Sequence, residues 1–275
     1  MPGGGGVPPG VARGGASRTR PPLLYGTPMP PVALAVLAHP DDAGFLCAGT
    51  LIRLARECGY AVHVATLTAG DCGSAEHAPT EIAALRRAEG AAAAAAIGAT
   101  YHCLEELDLR VIYGERPLEK VVRLINAVAA TVVITHAPDD YHLDHEQTST
   151  IARAATFAAP IPNFLHGRHD HPPVGAIPHL YYCDPLEGKD IYGRPVAPDF
   201  RIDITGVLDD KAAMLGCHAS QRAWLRKHHG VDNLVESMRD WSRSRSLSPG
   251  RAAEGFRQHL GHSYPQSNLL VELLG

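Results

Sequence analysis

Val32 to Ala38 form an unbroken apolar run that ends in His39-Pro40-Asp41-Asp42. A strand that is apolar at every position has both faces buried, as in a parallel sheet covered by helices. Further on, Phe45, Leu46, Leu51, Ile52, Leu54 and Ala55 recur at helical spacing, and Gly59 supplies the stop. The same alternation continues. Strands are expected at 61–68, 101–104 and 131–135, with helices at 81–97 (capped by Thr80 and closed by Gly98), 118–130 and 146–158. Strands at 180–183 and 200–204 and a helix at 207–217 follow. The predicted fold class is α/β: a Rossmann-like, mostly parallel sheet with helices on both faces, in a single domain.

Residues 1–31 are rich in Gly, Pro and Arg and lack an apolar centre, so they are expected to be a disordered leader rather than a secretory signal. The folded domain is then 32–275, a size that one core can serve. Residues 159–178 carry five prolines and three histidines and are expected to be a long irregular loop. The tail, 221–275, is expected to be polar, Arg-rich and partly helical.

The charge balance, 25 basic against 29 acidic residues, leaves none of the basic surplus that a nucleic-acid footprint needs. No apolar run is long enough for a membrane span. The six cysteines form no C-x-x-C pair, which suits reduced thiols and a cytoplasmic setting. The outlier is histidine, with 16 copies, and histidine is the commonest metal ligand and a general acid or base near neutral pH.

Two clusters gather the relevant groups. His39, Asp41 and Asp42 stand just past the C-terminal end of the first strand, the edge where parallel α/β sheets bind ligands. Taken alone they fit equally a turn in which Asp42 caps the next helix. The second cluster, Thr135-His136-Ala-Pro-Asp-Asp-Tyr-His142-Leu-Asp144-His145, follows the fourth strand, and so lies on the same edge. The spacing of His142 and His145 lets both face one cleft from a helix start. A His₂Asp set drawn from both clusters, with a fourth position open, is the catalytic zinc pattern rather than the closed structural one.

H-P-D-D after the first strand with a later H-x-D-H resembles the zinc-dependent N-deacetylases of the PIG-L/LmbE-like family. Arg86-Arg-Ala-Glu89 before Ile97-Gly98, and Lys211 followed by His218-Ala-Ser220-Gln221, resemble further family segments. One departure is Ala43, where the family usually has Glu. The resemblance implies removal of the acetyl group from an N-acetylglucosamine-bearing, small-molecule glycoside, lipid-bearing in some members, with one zinc ion per chain. It implies His39, Asp42 and His145 as metal ligands, Asp41 as general base, His142 as the group facing the oxyanion and Asp144 as the carboxylate orienting that histidine. A glycopeptide-antibiotic pseudoaglycone or a thiol-precursor glycoside is the leading substrate expectation. A zinc amidohydrolase acting on a non-sugar acylated amine and a non-catalytic carbohydrate-binding module are the alternatives.

Arg86, Asp108 and His218 are expected substrate-binding residues. Arg86 with Glu89 reads equally as a helix-surface ion pair, Asp108 as a loop turn and His218 as packing beside the sheet. His166, His169 and His171 suggest either a second metal site or, better, part of a lid formed by 159–178 over the cleft. Arg222 to Arg257, with Trp224 and Trp241, reads as a solvated helical edge or as an amphipathic surface for peripheral membrane contact or an acidic substrate.

Overall fold

The computed structural model describes residues 1–6, 29–229 and 233–275. Most of the expected leader lies outside the described residues. The chain runs β1 (Val32–Leu37), α1 (Asp42–Leu46), α2 (Ala48–Cys58), β2 (Ala61–Thr68), α3 (Pro79–Ala96), β3 (Thr100–Glu106), α4 (Glu115–Val128), β4 (Val132–Thr135) and α5 (Leu143–Ala158). It continues through β5 (His179–Cys183), a one-turn 3₁₀ helix (Leu186–Gly188), β6 (Phe200–Asp203) and α6 (Leu208–Gly216). The last elements are α7 (Ala219–His229), α8 (Leu234–Arg245), β7 (Ala253–Gln258) and α9 (Leu269–Leu274).

The seven strands form one sheet in the order β3-β2-β1-β4-β5-β7-β6. The first five run parallel, and β7 runs antiparallel to both of its neighbours. Alternate residues of β1 serve opposite layers, which is why the strand is apolar throughout. Ala33, Ala35 and Leu37 pack with α2, α6 and α9, whereas Leu34 and Val36 pack with α4 and α5. Both faces are therefore sealed.

Strand order reverses between β1 and β4, which are neighbours although α1 to α4 separate them in sequence. Such a switch point opens a crevice at the carboxyl ends of the two strands. The two polar clusters occupy those two ends. Gly59 ends α2 with φ +69, as expected of a left-handed cap. The start of α3 differs from expectation: Ala78 caps it and Pro79 takes its first turn, a position where the missing N–H costs nothing.

Two larger corrections concern the second half. The tail is not merely a helical edge, because β7 inserts from it between β5 and β6. Its sequence, Ala-Glu-Gly-Phe-Arg-Gln, has no period-two pattern, and its buried Glu254 is tolerated only because Lys211 Nζ donates to Oε1 at 2.7 Å. Glu254 also accepts from Gly49 N and Thr50 N at the start of α2 and from Thr50 Oγ1. Residues 159–178 do not reach the carboxyl edge. Sixteen residues of α5 span about 24 Å, so the segment begins at the opposite edge and packs on α4. There Arg168 bonds Glu119, Arg123 bonds the Arg168 carbonyl and Val174 N donates to Asn126. It is not a lid over the crevice.

Arginines of α8 are paired: Arg239 with Asp209, Arg243 with Asp240 and Arg245 with Asp184. That pairing removes the free cationic face an anionic membrane would require. No helix among the described residues is long and apolar enough to cross a membrane. All six cysteines are free.

Candidate metal centre and cleft

The turn after β1 is closed on itself, with His39 N donating to Asp42 Oδ2 at 2.7 Å. This aims His39 Nδ1 and the Asp42 carboxylate at the first turn of α5. There His145 Nε2 lies 3.3 Å from His39 Nδ1 and 3.6 Å from Asp42 Oδ1. One donor atom from each of His39, Asp42 and His145 falls within 4.8 Å of the others. The structure thus brings together the three residues expected to be ligands, although His145 and His39 are 106 positions apart in the chain.

The residues around this set suit a divalent cation. Burial works to lower the pKa of His39, but hydrogen bonds to Asp144 and Asp42 and the charges of Asp42 and Asp108 raise it to about 10. Carboxylates that favour a charged imidazole this strongly provide a place for positive charge. Each ligand imidazole also has a carboxylate behind it, the usual support of a metal-bound histidine. His145 Nδ1 donates to Asp140 Oδ1 at 2.9 Å, and His39 Nε2 faces Asp144 Oδ2 at 3.4 Å.

His142 caps α5, its Nδ1 accepting from Asp144 N at 3.1 Å. The neutral ring therefore carries its proton on Nε2. Burial, then the charges of His39 and His145, lower its pKa and favour that neutral form. Its ring centroid lies 4.9 Å from that of His39. Asp144 does not orient His142 with its carboxylate, contrary to expectation. The first turn of α5 directs that carboxylate back toward β1, onto His39, and onto Leu109 N at 2.7 Å. Leu109 has φ +61, a left-handed backbone unfavourable for leucine, and this bond helps to hold it.

Asp41 Oδ1 accepts from Arg86 Nη2 at 2.9 Å. Arg86 is buried and is not a sugar-facing group, because α3 runs beneath the loop after β2 and directs it inward. The loop closes over it at Gly70, where a Cβ would lie 2.3 Å from Arg86 Nη1. The surface ion-pair reading fails as well: Glu89 accepts instead from Ser220 N and Ser220 Oγ, pinning the start of α7. Asp108 Oδ2 accepts from Cys72 N, while Oδ1 lies 3.9 Å from His39 Nε2 without a hydrogen-bond partner. That places Asp108 at the margin of the centre. His218 is fully buried, with neither ring nitrogen bonded, near the charges of Asp41, Arg86 and Glu89. Burial lowers its pKa, and it does not line the cleft. His166, His169 and His171 belong to none of the metal-capable groups among the described residues.

Two residues at the centre were not singled out from sequence. His136, wholly buried, stacks on His145 with centroids 3.9 Å apart and accepts from Ala38 N at 2.9 Å. Burial and the charge of His145 lower its pKa to about 4, so the ring is neutral packing behind the ligands. Asp140 is the other. Its only sequence signal is a carboxylate five positions before a ligand histidine.

A cavity of about 850 Å³ opens from this centre. Asp41, Asp42, Asp140, Tyr141 and His145 line it, together with the apolar Leu186, Leu225 and Trp241.

An open α/β sheet with a His₂Asp donor set at its switch point defines a class of metal-dependent enzymes that act at the β1/β4 crevice. Residues 34–156 match the family described as "PIG-L: GlcNAc-PI de-N-acetylase". The 4-oxalmesaconate hydratase of Pseudomonas putida is 30% identical over 197 residues, which cover 69% of this chain and 73% of that protein. The chain belongs to the PIG-L family of enzymes. Among solved structures, the 4-carboxy-2-hydroxymuconate hydratase GalB of P. putida superposes with a TM-score of 0.70 at 26% identity, over 87% of this chain and 99% of that one. The N,N'-diacetylchitobiose deacetylase of Pyrococcus horikoshii gives 0.68 at 22% identity, over 83% of each chain, a likeness of fold.

Proposed function

We propose that the protein hydrolyses the N-acetyl group of an N-acetylglucosamine-bearing glycoside, releasing acetate and a free amine, with one zinc ion held by His39, Asp42 and His145. The observation that carries this reading is the convergence of that donor set with Asp41 and His142 beside one cavity, which Asp41, Asp42 and His145 line. When bound, such an ion lowers the pKa of water to ~7 and polarises an amide carbonyl. The remaining steps fall to side chains. Arg86 anchors Asp41 through Oδ1, leaving Oδ2 to take the proton from the attacking water. Asp41 then gives that proton to the amine nitrogen as the C–N bond breaks. His142 donates from Nε2 to the oxyanion, its tautomer fixed by Asp144 N. Asp108 Oδ1, near His39 and unbonded, is suited to a substrate hydroxyl.

The hydratase relative favours a second reading, addition of water to an unsaturated acid. The lining weighs against it: its cations, Lys189 and Arg245, already pair with Glu187 and Asp184, so neither is left to receive a substrate with several carboxylates. The test is to load purified protein with zinc and offer N-acetylglucosaminides beside 4-oxalmesaconate. Release of acetate and amine in equal amounts is expected. Loss of the unsaturated acid's absorbance, with no amine released from any glycoside, would replace this reading by the second.

A further inference from the structure

The cavity is larger than one acetylated sugar needs. Drug-sized ligands occupy clefts of ~300–1,000 Å³, and about 850 Å³ puts this one near the top of that range. Beside the polar groups it has an apolar wall, formed by Phe45 and Leu46 of α1, Leu186 of the 3₁₀ turn, Leu225 of α7 and Trp241 of α8.

The wall is preformed. Helix α8 buries Met238 and Ser242 in the cluster with Ala212 and Leu215, which fixes its rotation. The adjoining face, with Ser237, Trp241, Ser244 and Arg245 at helical spacing, is thereby turned to the cavity. The Trp241 ring is held by the Arg245 guanidinium, 4.4 Å from its centroid. Arg245 is held in turn by Asp184, a buried carboxylate just past β5. Two glycines permit this stack. A Cβ at Gly188, which has φ +63, would lie 2.7 Å from Arg245 Nη1 and 3.2 Å from Trp241 Cη2. A Cβ at Gly255 of β7 would lie 2.2 Å from Asp184 Oδ2. Strand, turn and helix thus lock an indole against one side of the cleft, and a preorganised aromatic wall binds apolar groups at low entropic cost.

We infer that this apolar wall is an aglycone site: it takes an uncharged aryl or alkyl group attached to the sugar whose acetamide lies at Asp42 and His145. The inference rests on the deacetylase reading above and extends it to a substrate class. It disfavours anionic aglycones, because Lys189 and Arg245, the cations of the lining, are already paired.

The experiment compares phenyl and methyl N-acetyl-β-glucosaminide with zinc-loaded protein, and measures binding of phenyl β-glucoside, which has no acetamide, by calorimetry. For wild type, kcat/KM should favour the phenyl glycoside by about tenfold or more, the range of a small apolar group entering a fitted pocket. Trp241→Ala should reduce that ratio about tenfold and weaken phenyl glucoside binding similarly, whereas Trp241→Phe should keep both within about threefold. Leu186→Ala, in the neighbouring turn, gives an independent reading if Trp241→Ala does not fold. An equal ratio in wild type and both alanine variants overturns the aglycone site while leaving the deacetylase reading intact. If neither glycoside is deacetylated but phenyl glucoside still binds in a Trp241-dependent manner, the reaction assignment fails and the site stands. Absence of both turnover and binding overturns the inference.

Discussion

On the proposed assignment Asp140 sets how firmly His145 would hold a metal, and its replacement gives a quantitative test. Its carboxylate accepts from His145 Nδ1 at 2.9 Å and from His142 N at 3.2 Å, in a position almost closed to solvent. In Asp140→Asn the amide oxygen can still accept the same Nδ1 proton, so the shape is kept and only the charge is lost. A charge-assisted hydrogen bond is worth about 1.5–3 kcal/mol and a neutral one about 0.5–1.5. The difference, about 1–1.5 kcal/mol, corresponds to roughly tenfold weaker metal binding, at the low end of the 10–100-fold typical of such supporting carboxylates. Asp144 faces His39 at the longer distance of 3.4 Å and divides its charge with Leu109 N. Asp144→Asn should therefore weaken binding less. Competition against a chromophoric chelator of known zinc affinity measures both constants without reference to turnover. A zinc Kd for Asp140→Asn within twofold of wild type, or a larger effect from Asp144→Asn, would refute the assignment of Asp140 as the support of His145.

Asp41→Asn should retain the metal, since Asp41 is not in the donor set, while kcat falls by roughly 10²–10⁴; loss of zinc in that variant would exchange the roles of the two aspartates. His142→Ala should lower kcat about 10²–10³-fold with little change in KM, measured by steady-state kinetics at saturating zinc. Lys211→Met leaves buried Glu254 without its cation and should cost about 3–5 kcal/mol in urea melts, whereas Lys211→Met with Glu254→Gln should recover part of that loss. His63 and His102 touch through Nδ1 and Nε2 at 2.9 Å, and burial lowers both pKa values, the charge of His63 lowering His102 further. Because their folded values lie below the ordinary 6.5, the unfolded chain binds more protons under acid conditions. Their contribution is complete above pH 6.5 and is lost as pH falls below it. His102→Gln should flatten the stability slope between about pH 5 and 6.5, and an unchanged slope would show that the pair carries none of it.

The local sequence determined the parallel half of the sheet, because strands buried on both faces leave an unmistakable apolar run and Gly59 and Gly98 mark where helices stop. It also indicated which residues meet at the β1/β4 crevice. His39 and Asp42 follow one strand and His145 follows another, and a parallel sheet brings all such ends to the same edge. Tertiary structure alone decided what each neighbouring group touches. Arg86 has the composition of a surface residue, and only the passage of α3 beneath the Gly70 loop places it under Asp41. Asp144 and Asp140 look interchangeable along the chain, yet the first turn of α5 gives one to His39 and the other to His145. The lid was misplaced for a simple reason of length: sixteen helical residues carry the chain from one edge of the sheet to the other. Strand β7 was hidden because a buried glutamate interrupts its apolar pattern, and the Lys211 that pairs with Glu254 stands 43 residues away. Periodicity records which face of an element is buried, but contacts between elements depend on how the layers pack, and no local window contains that.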